Sequence, residues 1–85
     1  MDMDKEKLPK YVNLNDLSLV ATLRYFKINE ENVDRSSDRV YFIFWATEDV
    51  NEIIKKYYAG ELMVEPSAFS LHLKAVKGRI YSQGI

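Results

Sequence analysis

One histidine, no cysteine and thirteen carboxylates are the side chains of this chain that could do chemistry, and their spacing offers few catalytic pairings. His72 is the single imidazole. It falls inside a segment of helical period, with no elbow sequence presenting a serine for it to activate. The reading is a helical histidine, on the surface or half-buried. Without cysteine there is neither a thiolate nucleophile nor a thiolate metal site. The carboxylate pairs Glu30–Glu31 and Glu48–Asp49 could hold a cation, yet neither has the loop spacing of a calcium site. Helix capping explains the second pair, and a solvated sheet edge explains the first. The three glycines, at 60, 78 and 84, build no phosphate-binding loop. The inventory therefore points away from an enzyme. It predicts no catalytic residue, no cofactor, no metal and no evident small-molecule substrate.

Two other constellations suit binding. Val40 to Ala46 carries no charge and includes Tyr41, Phe42, Phe44 and Trp45. In a strand Tyr41, Ile43 and Trp45 point one way, and Val40, Phe42 and Phe44 the other. A small sheet covers one face with helices, so the second apolar face calls for a cover of its own. Tyr and Trp are favoured at the centres of interfaces, which makes Tyr41 and Trp45 the partner-binding candidates. The second constellation is basic. From Pro66 onward the chain has Lys74, Lys77, Arg79 and His72 and no acid. At helical spacing Lys74 and Lys77 share a flank with Tyr81, and Arg79 lies across the apolar seam. With Arg39 these residues form an alternative, nucleic-acid-binding set, cations on phosphates and one ring stacked on a base. A net charge of −1 is far from the basic balance of a dedicated nucleic-acid binder.

The elements that must position these residues follow from periodicity. Residues 1–10 read as a flexible lead, with Pro9 barring any helix from entering. Tyr11 to Leu14 has strand propensity. Asn15 and Asp16 are capping residues ahead of Leu19, Val20, Leu23 and Phe26, which predicts a helix from 16 to 26. Lys27 to Arg35 has the charged composition of an edge strand. Ser36 to Asp38 supplies a turn, and the aromatic strand completes a hairpin. Thr47, with Glu48 and Asp49 behind it, starts a helix that Gly60 ends at residue 59. Val50, Ile53, Ile54 and Tyr57 are its inner stripe. Glu61 to Val64 reads as a short strand, and Pro66 opens a last helix with Phe69, Leu73, Val76 and Ile80 as its seam.

This order predicts an α+β domain over residues 11–85, with the ferredoxin-like split β-α-β order (βαββαβ) and an added C-terminal helix. In that plan the first and third strands are central. If Glu61–Val64 is only a connection, the alternative is a three-stranded antiparallel sheet with three helices. The expected core is Leu19, Val20, Leu23, Phe42, Phe44, Val50, Ile54, Tyr57, Phe69, Leu73 and Val76. The last helix is expected as a partial lid on the second sheet face, which otherwise meets a partner or a second copy. No apolar run approaches a membrane span, and MDMDKEKLPK lacks the apolar centre of a signal peptide. The expected location is the cytoplasm.

Arg39-Val40-Tyr41-Phe42-Ile43-Phe44 is loosely similar to the third-strand motif of RNA recognition domains, whose aromatics stack on bases. Val40, Phe42 and Ile43 depart from its glycine, its small residue and its second stacking ring. A broader resemblance rests on three segments. They are Asn15 to Leu19, Tyr41 to Phe44, and Tyr58-Ala-Gly-Glu-Leu-Met-Val-Glu-Pro66 leading into Leu73, Lys74 and Lys77. Over residues 11 to 81 the chain resembles a small family of uncharacterised domains found in bacteria and bacteriophages. The resemblance implies a short phage or mobile-element protein, in the host cytoplasm if phage-encoded. Such a protein would act by protein–protein recognition or self-association, as an inhibitor of a host defence or transcription component. Weak, sequence-tolerant nucleic-acid binding is the rival function.

Overall fold

The computed structural model describes residues 10–82, so the lead assigned to residues 1–10 lies outside it except for Lys10. The elements are β1 (Tyr11–Leu14), α1 (Leu17–Tyr25), β2 (Asn32–Asp34), β3 (Tyr41–Trp45), α2 (Glu48–Ala59) and α3 (Pro66–Ser82). The strands form one antiparallel sheet in the order β1-β3-β2, so β3 is central and β2 and β3 make the expected hairpin.

Local chemistry sets the helix ends. The Asp16 carboxylate accepts from the N–H groups of Ser18 and Leu19 at 3.1 and 3.2 Å. Thr47 Oγ1 accepts from Val50 N–H at 3.1 Å. Glu65 caps α3, its carboxylate accepting from Ala68 N–H at 2.8 Å, and Pro66 occupies the first helical position, where no N–H is needed. Two helices stop on the same device. Gly60, with φ 72°, ends α2, where Glu61 N–H returns to the Lys56 carbonyl. At the end of α1 the left-handed position is held by Lys27, with φ 68°, and Ile28 N–H returns to the Leu23 carbonyl.

The core is Leu19, Val20, Ala21, Leu23, Phe42, Phe44, Val50 and Val76, all buried. Ile54, Phe69, Leu73 and Ile80 pack half-buried around it. Phe42 and Phe44 thus face the helices, as their alternation requires. Buried Ala21 and Thr22 were not foreseen. Thr22 is accommodated by donating its hydroxyl to the Ser18 carbonyl at 2.7 Å.

Three expectations need correction. Glu61–Val64 is not a strand, so the order is β-α-β-β-α-α and not the ferredoxin-like βαββαβ. Leu62 and Val64 turn instead towards Thr22, Tyr57 and Phe69 in the helical layer. The backbone that follows is also committed there, since Glu65 N–H donates to the Tyr25 hydroxyl at 2.9 Å. The three-stranded alternative is the observed architecture. Second, α3 is no lid. Its seam packs on α1 and the core, on the same sheet face as the other helices. Third, the edge strand is confined to Asn32–Asp34, because Lys27 and Ile28 are spent on ending α1.

Candidate functional site

The sheet face turned away from the helices is assembled by register. Tyr11 stands opposite Trp45, and Asn13 opposite Ile43. From the other side Asn32 also meets Ile43, and Asp34 meets Tyr41. The Tyr11 and Trp45 rings stack with centroids 4.5 Å apart and planes inclined by 26°. Each ring nevertheless keeps close to half its surface in solvent, 47% and 45%. Tyr11, Asn13, Glu31, Asn32 and Ile43 line a shallow depression of about 380 Å³ beside the stack. Tyr41 and Ile43 are half-buried. Among the described residues no helix covers this face.

Its electrostatics are neutral to negative. The strand residues facing outward carry one charge, that of Asp34. Hydrogen bonds from the Ser36 hydroxyl and N–H hold that carboxyl below the usual aspartate range, so it keeps its charge. Glu31 adds a second carboxylate at the rim of the depression. An apolar ridge framed by amides and carboxylates can bury aromatic and aliphatic side chains and accept hydrogen bonds, but it repels phosphate.

The structure brings Tyr41 and Trp45 to this face and places the basic set elsewhere. Lys74, Lys77 and Tyr81 are exposed on α3, in the helical layer. Arg39 lines a separate shallow surface with Asn15, Leu17, Val40 and Ile80. Arg79 does not stand across the seam as a free cation. Its guanidinium donates to Glu30 Oε2 at 2.8 Å.

Glu30 is the residue that sequence reasoning placed most wrongly. It is no solvated edge carboxylate, since its side chain is 1% exposed. Arg24 grips it from α1 with Nε on Oε1 at 3.1 Å and Nη2 on Oε2 at 2.6 Å, and Arg79 closes the other side. Burial pushes its pKa up, and the Arg24 hydrogen bonds, a backbone hydrogen bond and the charges of Arg24 and Arg79 together more than offset that, leaving it below the ordinary value. Arg35 in the β2–β3 loop donates in turn to the Arg79 carbonyl. The cluster ties the end of α1 to α3 and to the hairpin. Its role is architectural.

His72 is half-buried on α3 and meets the Tyr25 ring edge-on at 6.1 Å. Among the described residues there is no group of three His, Cys, Asp or Glu side chains able to hold a metal ion. No described helix is long and apolar enough to cross a membrane.

Tyr11, Asn13 and Asn32 belong to the open face and were not among the candidates. The alternation of Tyr-Val-Asn-Leu separates Tyr11 and Asn13 from Val12 and Leu14, but only register decides which residues they join. Compared with known proteins, the chain matches a family over residues 9–82, described as Domain of unknown function (DUF5659). No curated protein and no solved structure matches it.

Proposed function

The chain belongs to the DUF5659 family, a domain of unknown function, and from that premise we propose that it is a non-catalytic module that recognises a protein partner through its open sheet face. The observation that carries this reading is the exposed Tyr11–Trp45 stack beside Ile43, an apolar ridge with no described helix over it. Aromatic side chains of this kind anchor interfaces because they bury large area with few rotatable bonds. The amides of Asn13 and Asn32 and the carboxylates of Asp34 and Glu31 form a polar rim able to fix orientation. The setting implied by the sequence resemblance, a phage or mobile element, makes a host defence or transcription protein the partner class.

Nucleic-acid binding through Arg39, Lys74, Lys77, Arg79 and Tyr81 is the weaker reading. Lys74, Lys77 and Tyr81 lie on α3 in the helical layer, apart from the aromatic platform, Arg39 lines a separate surface, and Arg79 is engaged with Glu30. Retention of a host protein on the immobilised chain separates the two. Protein recognition predicts retention that survives nuclease and raised salt and is lost in Trp45→Lys. Retention that needs nucleic acid, falls steeply with salt and is lost in Lys74→Glu/Lys77→Glu instead would overturn it.

A further inference from the structure

The two edges of the sheet are treated differently. The ladder between β1 and β3 has a definite parity, because Ala46 N–H donates to the Lys10 carbonyl at 2.8 Å. In an antiparallel pair the bonded positions alternate, so Val12 and Leu14 also bond towards β3. Tyr11 and Asn13 therefore direct their N–H and C=O groups outward. At the far edge the same parity turns the N–H of Val33 outward, and there it is blocked. The Asn32 side chain accepts it at 2.8 Å, Asp34 puts a charge in the strand itself, and Glu31 and Arg35 flank it. Charges and self-capped donors are how an edge is closed to pairing. β1 has neither, since Tyr-Val-Asn-Leu carries no charge and no proline. The ferredoxin-like plan would lay a fourth strand on this edge, but the chain sends residues 61–64 to the helical layer instead.

We propose that the outer edge of β1 pairs with β1 of a second copy, antiparallel about a twofold axis at Val12, to give a continuous six-stranded sheet. The register is fixed by counting. Only with Val12 opposite Val12 of the other copy do both outward residues of each strand find partners. Tyr11 then exchanges bonds with Asn13 across the axis, twice by symmetry. Other registers pair Tyr11 with Tyr11, or Asn13 with Asn13, and form half as many bonds. The absence of charge in the strand removes the like-charge repulsion that self-pairing would otherwise meet. The contact is isologous, so it closes at the dimer. It uses the backbone edge, not the side chains of the open face, and is independent of the recognition proposed above. In the dimer the two open faces become one surface.

The chain has no cysteine, which allows a direct test of the register. At a non-hydrogen-bonded pair the two Cα atoms lie about 4.5 Å apart, within disulfide range. In the full chain Val12→Cys should cross-link to a covalent dimer under mild oxidation, whereas Asn13→Cys, displaced from its counterpart by the register, should not. Sedimentation of the wild type should show the mean mass rising towards a dimer between micromolar and millimolar concentration. Asn13→Pro removes an outward donor and should leave a monomer. A wild type that stays monomeric throughout this range overturns the proposal. So does a dimer in which Val12→Cys does not cross-link, whether or not Asn13→Pro folds. Dissociation by Trp45→Lys with the Val12 cross-link absent would place the contact on the open face instead.

Discussion

Glu30→Gln is the substitution whose cost can be worked most directly from the structure. Glu30 Oε2 receives an N–H from each of Arg24 and Arg79, and Oε1 receives the Arg24 Nε–H. Glutamine can offer its oxygen to one of these positions, but its amide then sets a donor against a guanidinium donor. It also leaves two cations without their counter-charge. Removing one member of a buried ion pair costs about 3–5 kcal/mol. The two guanidinium side chains are 18% and 44% exposed and keep part of their hydration. That discount brings the expected loss to about 2–3 kcal/mol. The pH dependence has a definite sign. A carboxylate whose folded pKa is depressed contributes stability above its unfolded pKa and loses it as pH falls through the folded value. The gap between wild type and Glu30→Gln should therefore be full at neutral pH and close as the pH drops below the ordinary carboxylate range. Urea unfolding followed by far-ultraviolet circular dichroism, repeated from neutral to acid pH, measures both. A loss below about 0.5 kcal/mol at neutral pH would refute the account of the cluster, that being the scale of an ordinary surface substitution.

Phe44→Ala, at a fully buried ring on the helix face of β3, should cost about 3–5 kcal/mol in the same unfolding assay. A small loss would mean that β3 presents its other face to the core. Lys27→Gly relieves a left-handed residue that ends α1 and should raise stability by about 0.5–1 kcal/mol, and a fall would show that the Lys27 side chain contributes more than its backbone strain costs. Lys74→Glu/Lys77→Glu alters two exposed positions of α3 and should shift stability by no more than about 0.5 kcal/mol, so a change in binding by that variant is not a folding effect.

Much of the fold was legible because single residues announce it. Asp16, Thr47, Gly60 and Pro66 mark helix ends by their own chemistry, and the alternation of Tyr41 to Trp45 assigns Phe42 and Phe44 to the core. What failed depended on contacts distant in sequence. Glu61–Val64 has strand composition, but the helical layer claims its apolar residues. Lys27 gives no glycine signal, so the stop of α1 cuts unannounced into the expected strand. Glu30 looked solvated because Arg79 is forty-nine residues away along the chain. The candidate face was half legible. Tyr41 and Trp45 follow from alternation, whereas the stacking of Tyr11 on Trp45 needs the β1–β3 register.

The most direct test of the recognition face uses a photoreactive phenylalanine analogue in place of Ile43 on the open face, and in a second chain in place of Lys77 on α3. Both chains are irradiated in a cell lysate and digested with nuclease before the adducts are weighed by mass spectrometry. Recognition through the sheet predicts a nuclease-resistant protein adduct from position 43 and none from position 77. An adduct that forms from position 77 alone and is trimmed by nuclease would contradict it.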